Sequence, residues 1–266
     1  PIPAAQDEAV TRRLACLLGG ALGDGFGYVV EFDSLANIQK AHGQQGLREP
    51  YFHRGELIVS DDTQMSLFTL EGLTRAMHEG EPDDQTLIEQ VRLSYLDWLS
   101  TQNHRAQDGN QSSRLLKHAV LHAQRAPGKT CIGALNQGGN GTPEHPLNNS
   151  KGSGGVMRAG VVGLMPDMTP TRAFRIGARV AALTHGHPSG YLPGGLMAAA
   201  VRGVLEQLPL QMALIQAGKM ARAWAGHEET LTLLNTALDL AARPFNGALP
   251  EELGQGWVGE QALAIA

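Results

Sequence analysis

Apolar residues recur every two to four positions through most of the chain, and this spacing predicts helices. Residues 62–78 carry Met65, Phe68, Leu70, Leu73 and Met77 at such intervals. Residues 86–99 set Ile88, Val91, Tyr95, Trp98 and Leu99 on one stripe, and 112–125 carry Leu115, Leu116, Ala119 and Val120. Residues 171–184 repeat the pattern with Phe174, Ile176, Val180, Ala181 and Leu183, and 190–207, 210–225 and 229–242 look alike. Sustained period-two alternation is missing. The β-like runs Tyr28–Phe32 and Leu57–Val59 are too short to seed a sheet. Breakers fall between the helical segments: Gly80-Glu81-Pro82, Ala126-Pro127-Gly128, Pro166, Pro188, Pro193 and Pro209. The expectation is an all-α, single compact orthogonal helical domain of roughly ten helices spanning 1–266.

Composition narrows the picture. The 266 residues are 42% apolar, enough for a core without staples. With 21 Lys+Arg against 26 Asp+Glu, no cationic surplus exists for phosphate backbones, so no nucleic-acid partner is expected. Two cysteines, Cys16 and Cys131, cannot build a disulfide framework; they suit a reducing, cytoplasmic setting. No apolar run reaches the ~18 residues a membrane span needs. Thr11-Arg12-Arg13 ahead of Leu14–Gly23 imitates a twin-arginine signal, but no small-residue cleavage pattern follows. A first core helix is the expectation there. The 33 glycines lie well above the usual ~7% and mark turns or close backbone approach. Six of them fall in 136–155, the longest irregular stretch. Gly256–Ala266 begins an apolar helix that ends on Leu263, Ala264, Ile265 and Ala266 without a capping glycine or a last-turn cation, as a cut helix would.

Four places carry candidate chemistry. Ser60-Asp61-Asp62-Thr63-Gln64 precedes a helix. Ser60 can cap it and the acids favour its dipole, yet the same oxygens suit a hard cation, Mg²⁺ or Mn²⁺. Gly19–Gly27 leads to Asp24 and Glu31, acids set in apolar sequence; they are either solvated loop carboxylates or buried ones needing a partner. Asn149-Ser150-Lys151-Gly152-Ser153-Gly154-Gly155-Val156-Met157-Arg158 reads as a glycine turn opening a helix. Its backbone N–H groups can take a phosphate, though the spacing is not that of a P-loop. Thr184-His185-Gly186-His187-Pro188 offers two imidazoles but no third zinc ligand, so ligand contact or a structural role fits better. Asp83-Asp84 reads as capping, Trp98 as core, and Arg12 and Arg13 as a solvated face.

The order of these signals carries a resemblance. Gly23-Asp24…Glu31, Ser60–Gln64, Arg125-Ala126-Pro127-Gly128-Lys129-Thr130-Cys131, Asn148–Arg158 and Thr184–Pro188 together resemble the ADP-ribosylglycohydrolase family, over residues 10–266. The resemblance implies an all-α fold and a two-metal Mg²⁺/Mn²⁺ centre. The reaction it implies is cleavage of the glycosidic bond between ADP-ribose and a modified side chain, commonly arginine, with release of ADP-ribose. By motif, Ser60, Asp61 and Asp62 would be metal ligands, Asp61 and Asp62 also being catalytic. Glu31 would be a catalytic or gating carboxylate, with Asp24 supporting its loop. Gly152, Ser153, Gly154 and Gly155 would face the diphosphate and distal ribose, and His185 or His187 the nucleotide.

Two departures follow. Ser60 stands where the family has Thr, and the hydroxyl survives. The resemblance further implies metal ligands from a late Asp-x-Asp, which this sequence does not contain. The expectation is therefore a chain truncated at its C-terminus, or a form with impaired hydrolysis whose second metal lacks carboxylates. The expected partners are ADP-ribosylated protein and ADP-ribose, with no membrane. The competing readings are a non-catalytic ADP-ribose-binding or toxin-blocking protein with an incomplete metal site and, more weakly, a metal-dependent nucleotide phosphohydrolase.

Overall fold

A computed structural model describes residues 4–78, 80–102, 112–244 and 250–266. Eleven α-helices are present among these residues, with 3₁₀ turns and one two-residue-per-strand hairpin. The helices are α1 (Ala4–Gly27), α2 (Leu35–His42), α3 (Asp61–His78), α4 (Asp84–Thr101), α5 (Lys129–Leu135), α6 (Val156–Ala159), α7 (Pro170–Ala182), α8 (Pro188–Leu205), α9 (Leu210–Ala221), α10 (Glu228–Ala241) and α11 (Gly259–Ile265). The hairpin pairs β1 (Phe52–His53) with β2 (Glu56–Leu57), antiparallel. The fold is all-α, as the periodicity predicts.

Two buried clusters form the interior. Met65 and Phe68 of α3 pack with Tyr95, Trp98 and Leu99 of α4, and Cys131, Ile176 and Leu183 join them. The second cluster gathers Phe174, Ala178, Tyr191, Leu192, Leu196, Leu231, Leu234 and Leu263 from α7, α8, α10 and α11. Helices α7 and α8 meet at near-backbone distance because small residues face each other. A Cβ on Gly177 would come within 2.6 Å of Ala198 Cβ and 2.8 Å of Gly194 O. Such contact is open only to glycine and brings the facing sides of both helices into the core.

Several expectations need correcting. Residues 112–125 do not make one helix but two 3₁₀ turns, Arg114–Lys117 and Ala119–His122. His118 between them is extended and ends the run. Pro193 lies inside α8 rather than breaking it. Asp24 sits in the last turn of α1, not in a loop, since α1 runs on through Gly27. Leu14–Gly23 is helical but not core: Val10, Leu14, Leu18 and Leu22 are all exposed. Leu263 is buried rather than exposed, because α11 docks on α8 and α10. No single described helix is long and apolar enough to cross a membrane; Glu8–Val30 and Leu35–His42 pass that test only as a pair bent by 95°.

Candidate functional site

Helix α3 begins where two oxygen acceptors meet its first turn. Ser60 Oγ accepts the Asp62 N–H at 3.1 Å, an ordinary N-cap. Asp24, reaching across from α1, accepts Ser60 N–H at 2.9 Å and Thr63 N–H at 3.1 Å, and the Thr63 hydroxyl donates to it at 2.5 Å. Asp24 is thus a second cap supplied by another helix. Its carboxylate answers three donors of this chain, which explains an acid in apolar surroundings. Thr63 completes this arrangement, a role that its place in the sequence does not announce.

The capping leaves Asp61 and Asp62 on the first turn with little to offset their charge. Asp61 Oδ2 accepts the Gly128 N–H at 3.2 Å, and Asp61 N–H donates to Arg125 O at 2.9 Å, so the 125–131 segment is pinned to α3. Neither acid forms a salt bridge among the described residues. Burial first, then the Asp62 charge, pushes the Asp61 carboxyl up to about 8, and Glu31 adds to it. Burial, Asp24 and Glu31 push Asp62 up to about 7. Glu31, exposed on the turn after α1, is itself raised by desolvation and by Asp24. Asp24, Glu31, Asp61 and Asp62 are therefore close enough to act on one another's charge.

The donors present suit a hard divalent cation in kind: two carboxylates short of positive charge and a hydroxyl at Ser60. In number they fall short of a protein-only cage. Among the described residues no three Asp, Glu, His or Cys side chains are grouped to hold a metal ion. Mg²⁺ commonly keeps several waters and takes only one or two carboxylates, and Asp61 and Asp62 match that requirement in kind.

The glycine turn and the two histidines form a second unit. Ser153–Gly155 is a 3₁₀ turn leading into α6. A Cβ on Gly154 would lie 2.9 Å from both Cys131 Sγ and His185 Cε1, and one on Gly152 3.2 Å from His185 Nε2. Gly155 meets the backbone of Gly190 in the same way. These glycines are needed for packing, whatever the turn binds. His185 is buried beneath them with Nδ1 2.8 Å from Thr184 Oγ1. Burial and the Arg158 charge lower it to about 3, so it is neutral. His187 N-caps α8, its Nδ1 accepting the Ser189 N–H at 3.0 Å. Asn148 ties the two loops together: its Oδ1 accepts Ser150 N–H (2.9 Å) and Gly186 N–H (3.2 Å), and its Nδ2 donates to Thr184 O at 2.8 Å.

Arg158 escaped sequence reading as a site residue. It is fully buried. Nη1 donates to Gly154 O at 2.7 Å, Nη2 to Thr184 Oγ1 at 2.6 Å, and the guanidinium lies 4.6 Å from the Tyr95 ring centroid. No carboxylate pairs with it among the described residues. The only advance signal is a cation six residues inside a glycine-opened apolar segment. A cavity of about 510 Å³ lies elsewhere, between α1, α3 and 164–166, and none of the candidate residues lines it.

No curated protein matches the chain. The sequence profile of the ADP-ribosylglycohydrolase family matches residues 5–266. That span takes in Asp24, Glu31, the acids opening α3, the glycine turn and both histidines; this chain belongs to the ADP-ribosylglycohydrolase family.

Proposed function

We propose that this chain hydrolyses the N-glycosidic bond between ADP-ribose and an arginine side chain of a modified protein, with the help of Mg²⁺ or Mn²⁺. Family membership supports hydrolysis of ADP-ribose linkages in general. The observation that carries the finer reading is the pair of a buried Asp61 and a half-buried Asp62, without a salt bridge, beside Glu31. Ser60, Asp61 and Asp62 hold the cation, and when bound it supplies charge neutralisation and orientation of sugar hydroxyls.

In the reaction, water adds to the anomeric carbon as the carbon–nitrogen bond breaks through an oxocarbenium-like state. Glu31, on an exposed turn and already raised, takes the proton from that water. Glu31 then passes that proton to the departing guanidine nitrogen, so arginine and ADP-ribose leave intact. Asp24 keeps the first turn of α3 in place. Gly152, Ser153, Gly154 and Gly155 receive the diphosphate and distal ribose, with His185 supporting that turn from beneath and His187 fixing the start of α8. The free cysteines, Cys16 and Cys131, fit work in the cytoplasm.

The test is release of ADP-ribose from an ADP-ribosyl-arginine substrate as Mg²⁺ or Mn²⁺ is titrated. Asp61→Asn should lower apparent metal affinity and turnover together, by about tenfold or more. Parental turnover in Asp61→Asn overturns the ligand assignment. Among the described residues no three metal-ligating side chains are grouped, which favours a second reading, a non-catalytic ADP-ribose binder. Saturable ADP-ribose binding with no turnover at any metal concentration supports that reading instead.

A further inference from the structure

Two large aromatic side chains stand in the open beside the acids, and the reaction above uses neither. Phe32 follows Glu31 directly and is 68% exposed; Trp257 precedes Val258 and is 57% exposed. Their ring centroids are 6.5 Å apart with planes 29° from parallel. The two come from opposite ends of the chain, so the pair closes a gap between two units of the site. Val258 bridges Gly152 of the glycine turn, and the Gly259 N–H donates to Lys151 O at 2.7 Å.

Both rings are carried on braced backbone. Gln261 Oε1 accepts the N–H groups of Gln255 and Gly256, each at 3.2 Å, fixing the turn that presents Trp257. Gly256 at φ +83° makes that turn possible. On the other side Asp33 N–H closes onto Val30 O at 3.0 Å, and Ser34 caps α2. Exposed apolar rings held rigidly are a contact surface rather than a by-product of folding.

We propose that Phe32 and Trp257 form a clamp for a planar cation: the guanidinium of the arginine whose adduct is cut. This rests on the hydrolase reading above and adds the leaving-group subsite to it. Aromatic pairs sit at about 4.5–7 Å, so this one is at the loose end of the range. A flat group in contact with both faces needs about 7 Å between the ring planes, so the two side chains part to admit it. The charge argues for a cation. Glu31 adjoins Phe32 and Asp33 follows it, and the Asp24 charge acts on Glu31. A neutral base gains nothing from those acids, and a compact, strongly hydrated ammonium gains less from two flat rings than a planar guanidinium does.

The test has a binding arm and a kinetic arm, both on the full chain. Trp257 is the exposed one of three tryptophans, Trp98 being buried and Trp224 packed on Phe174 and Tyr191. Arginine methyl ester should change the emission saturably, and lysine methyl ester should do so at markedly higher concentration. Trp257→Leu should abolish the response and Phe32→Leu weaken it. In hydrolysis of an ADP-ribosylated arginine peptide, either Leu variant should raise KM about two- to fivefold with kcat little changed. Trp257→Phe should restore KM, and inhibition by free ADP-ribose should stay the same. Equal responses to the arginine and lysine esters overturn the clamp, as does an unchanged KM in both Leu variants. A Trp257 response to ADP-ribose alone, with weaker inhibition in the variants, makes the pair a base-stacking site and likewise overturns it. A wild-type chain that answers arginine ester but releases no ADP-ribose upholds the clamp and defeats the hydrolase reading.

Discussion

His185 is a histidine that cannot afford its second proton. It lies under the glycine turn with Arg158 as its charged neighbour, and its pKa falls from 6.5 to about 3. In the unfolded chain it protonates near the ordinary value, so below pH 6.5 the unfolded state binds more protons and the fold loses stability. The contribution is complete above 6.5 and drains away as pH falls toward 3, by up to about 1.4 kcal/mol per unit. Thermal melts between pH 6.5 and about 5 should show this slope, and His185→Gln should flatten it. A parallel slope in the variant would assign the acid sensitivity to other groups. Sequence alone could name His185 and His187 but not separate them. Their difference comes from depth: one ring is fully enclosed, the other ends a helix at the surface. Arg158 was invisible for a related reason, since nothing in its neighbours in sequence announces that Tyr95 and Thr184 will meet it.

At the level of elements, the periodic helices α3, α4 and α7 to α10 were legible because each buries a stripe. What failed was where tertiary contact outvotes pattern. Pro193 stays inside α8, whose N-terminal half packs on α7 through glycines. The 112–125 segment has helical spacing but is largely exposed, and with little to bury it settles for 3₁₀ turns. The capping of α3 from α1 could not be read from spacing, because Asp24 and Ser60 are 36 residues apart. Its consequence is measurable. Asp24→Ala should lower stability by about 1–2 kcal/mol, the worth of a strong N-cap, and Asp24→Asn by less. Denaturant unfolding checks this; an unchanged midpoint in Asp24→Ala would show that Ser60 alone suffices.

Across the whole molecule, the acids of α1 and α3 and the glycine turn were found in the sequence by order rather than by distance, and the structure shows what supports each. The exposed side of α1 is the largest departure from expectation. Val10, Leu14, Leu18 and Leu22 recur every fourth residue and all stand in water. Such a stripe should bind a hydrophobic dye, and Leu14→Glu with Leu18→Glu should remove most of that signal while the melting temperature holds, because the two side chains support little packing. Undiminished dye binding would place the sticky surface elsewhere.

The single backbone bridge between Gly152 and Val258 has a corollary for how this molecule reports on itself. The amide of Gly259, bound to the carbonyl of Lys151, can exchange with heavy water only when the two strands part. Its exchange rate is a built-in gauge of how often the loop breathes, readable one amide at a time by NMR, and any small molecule that settles there will slow the clock.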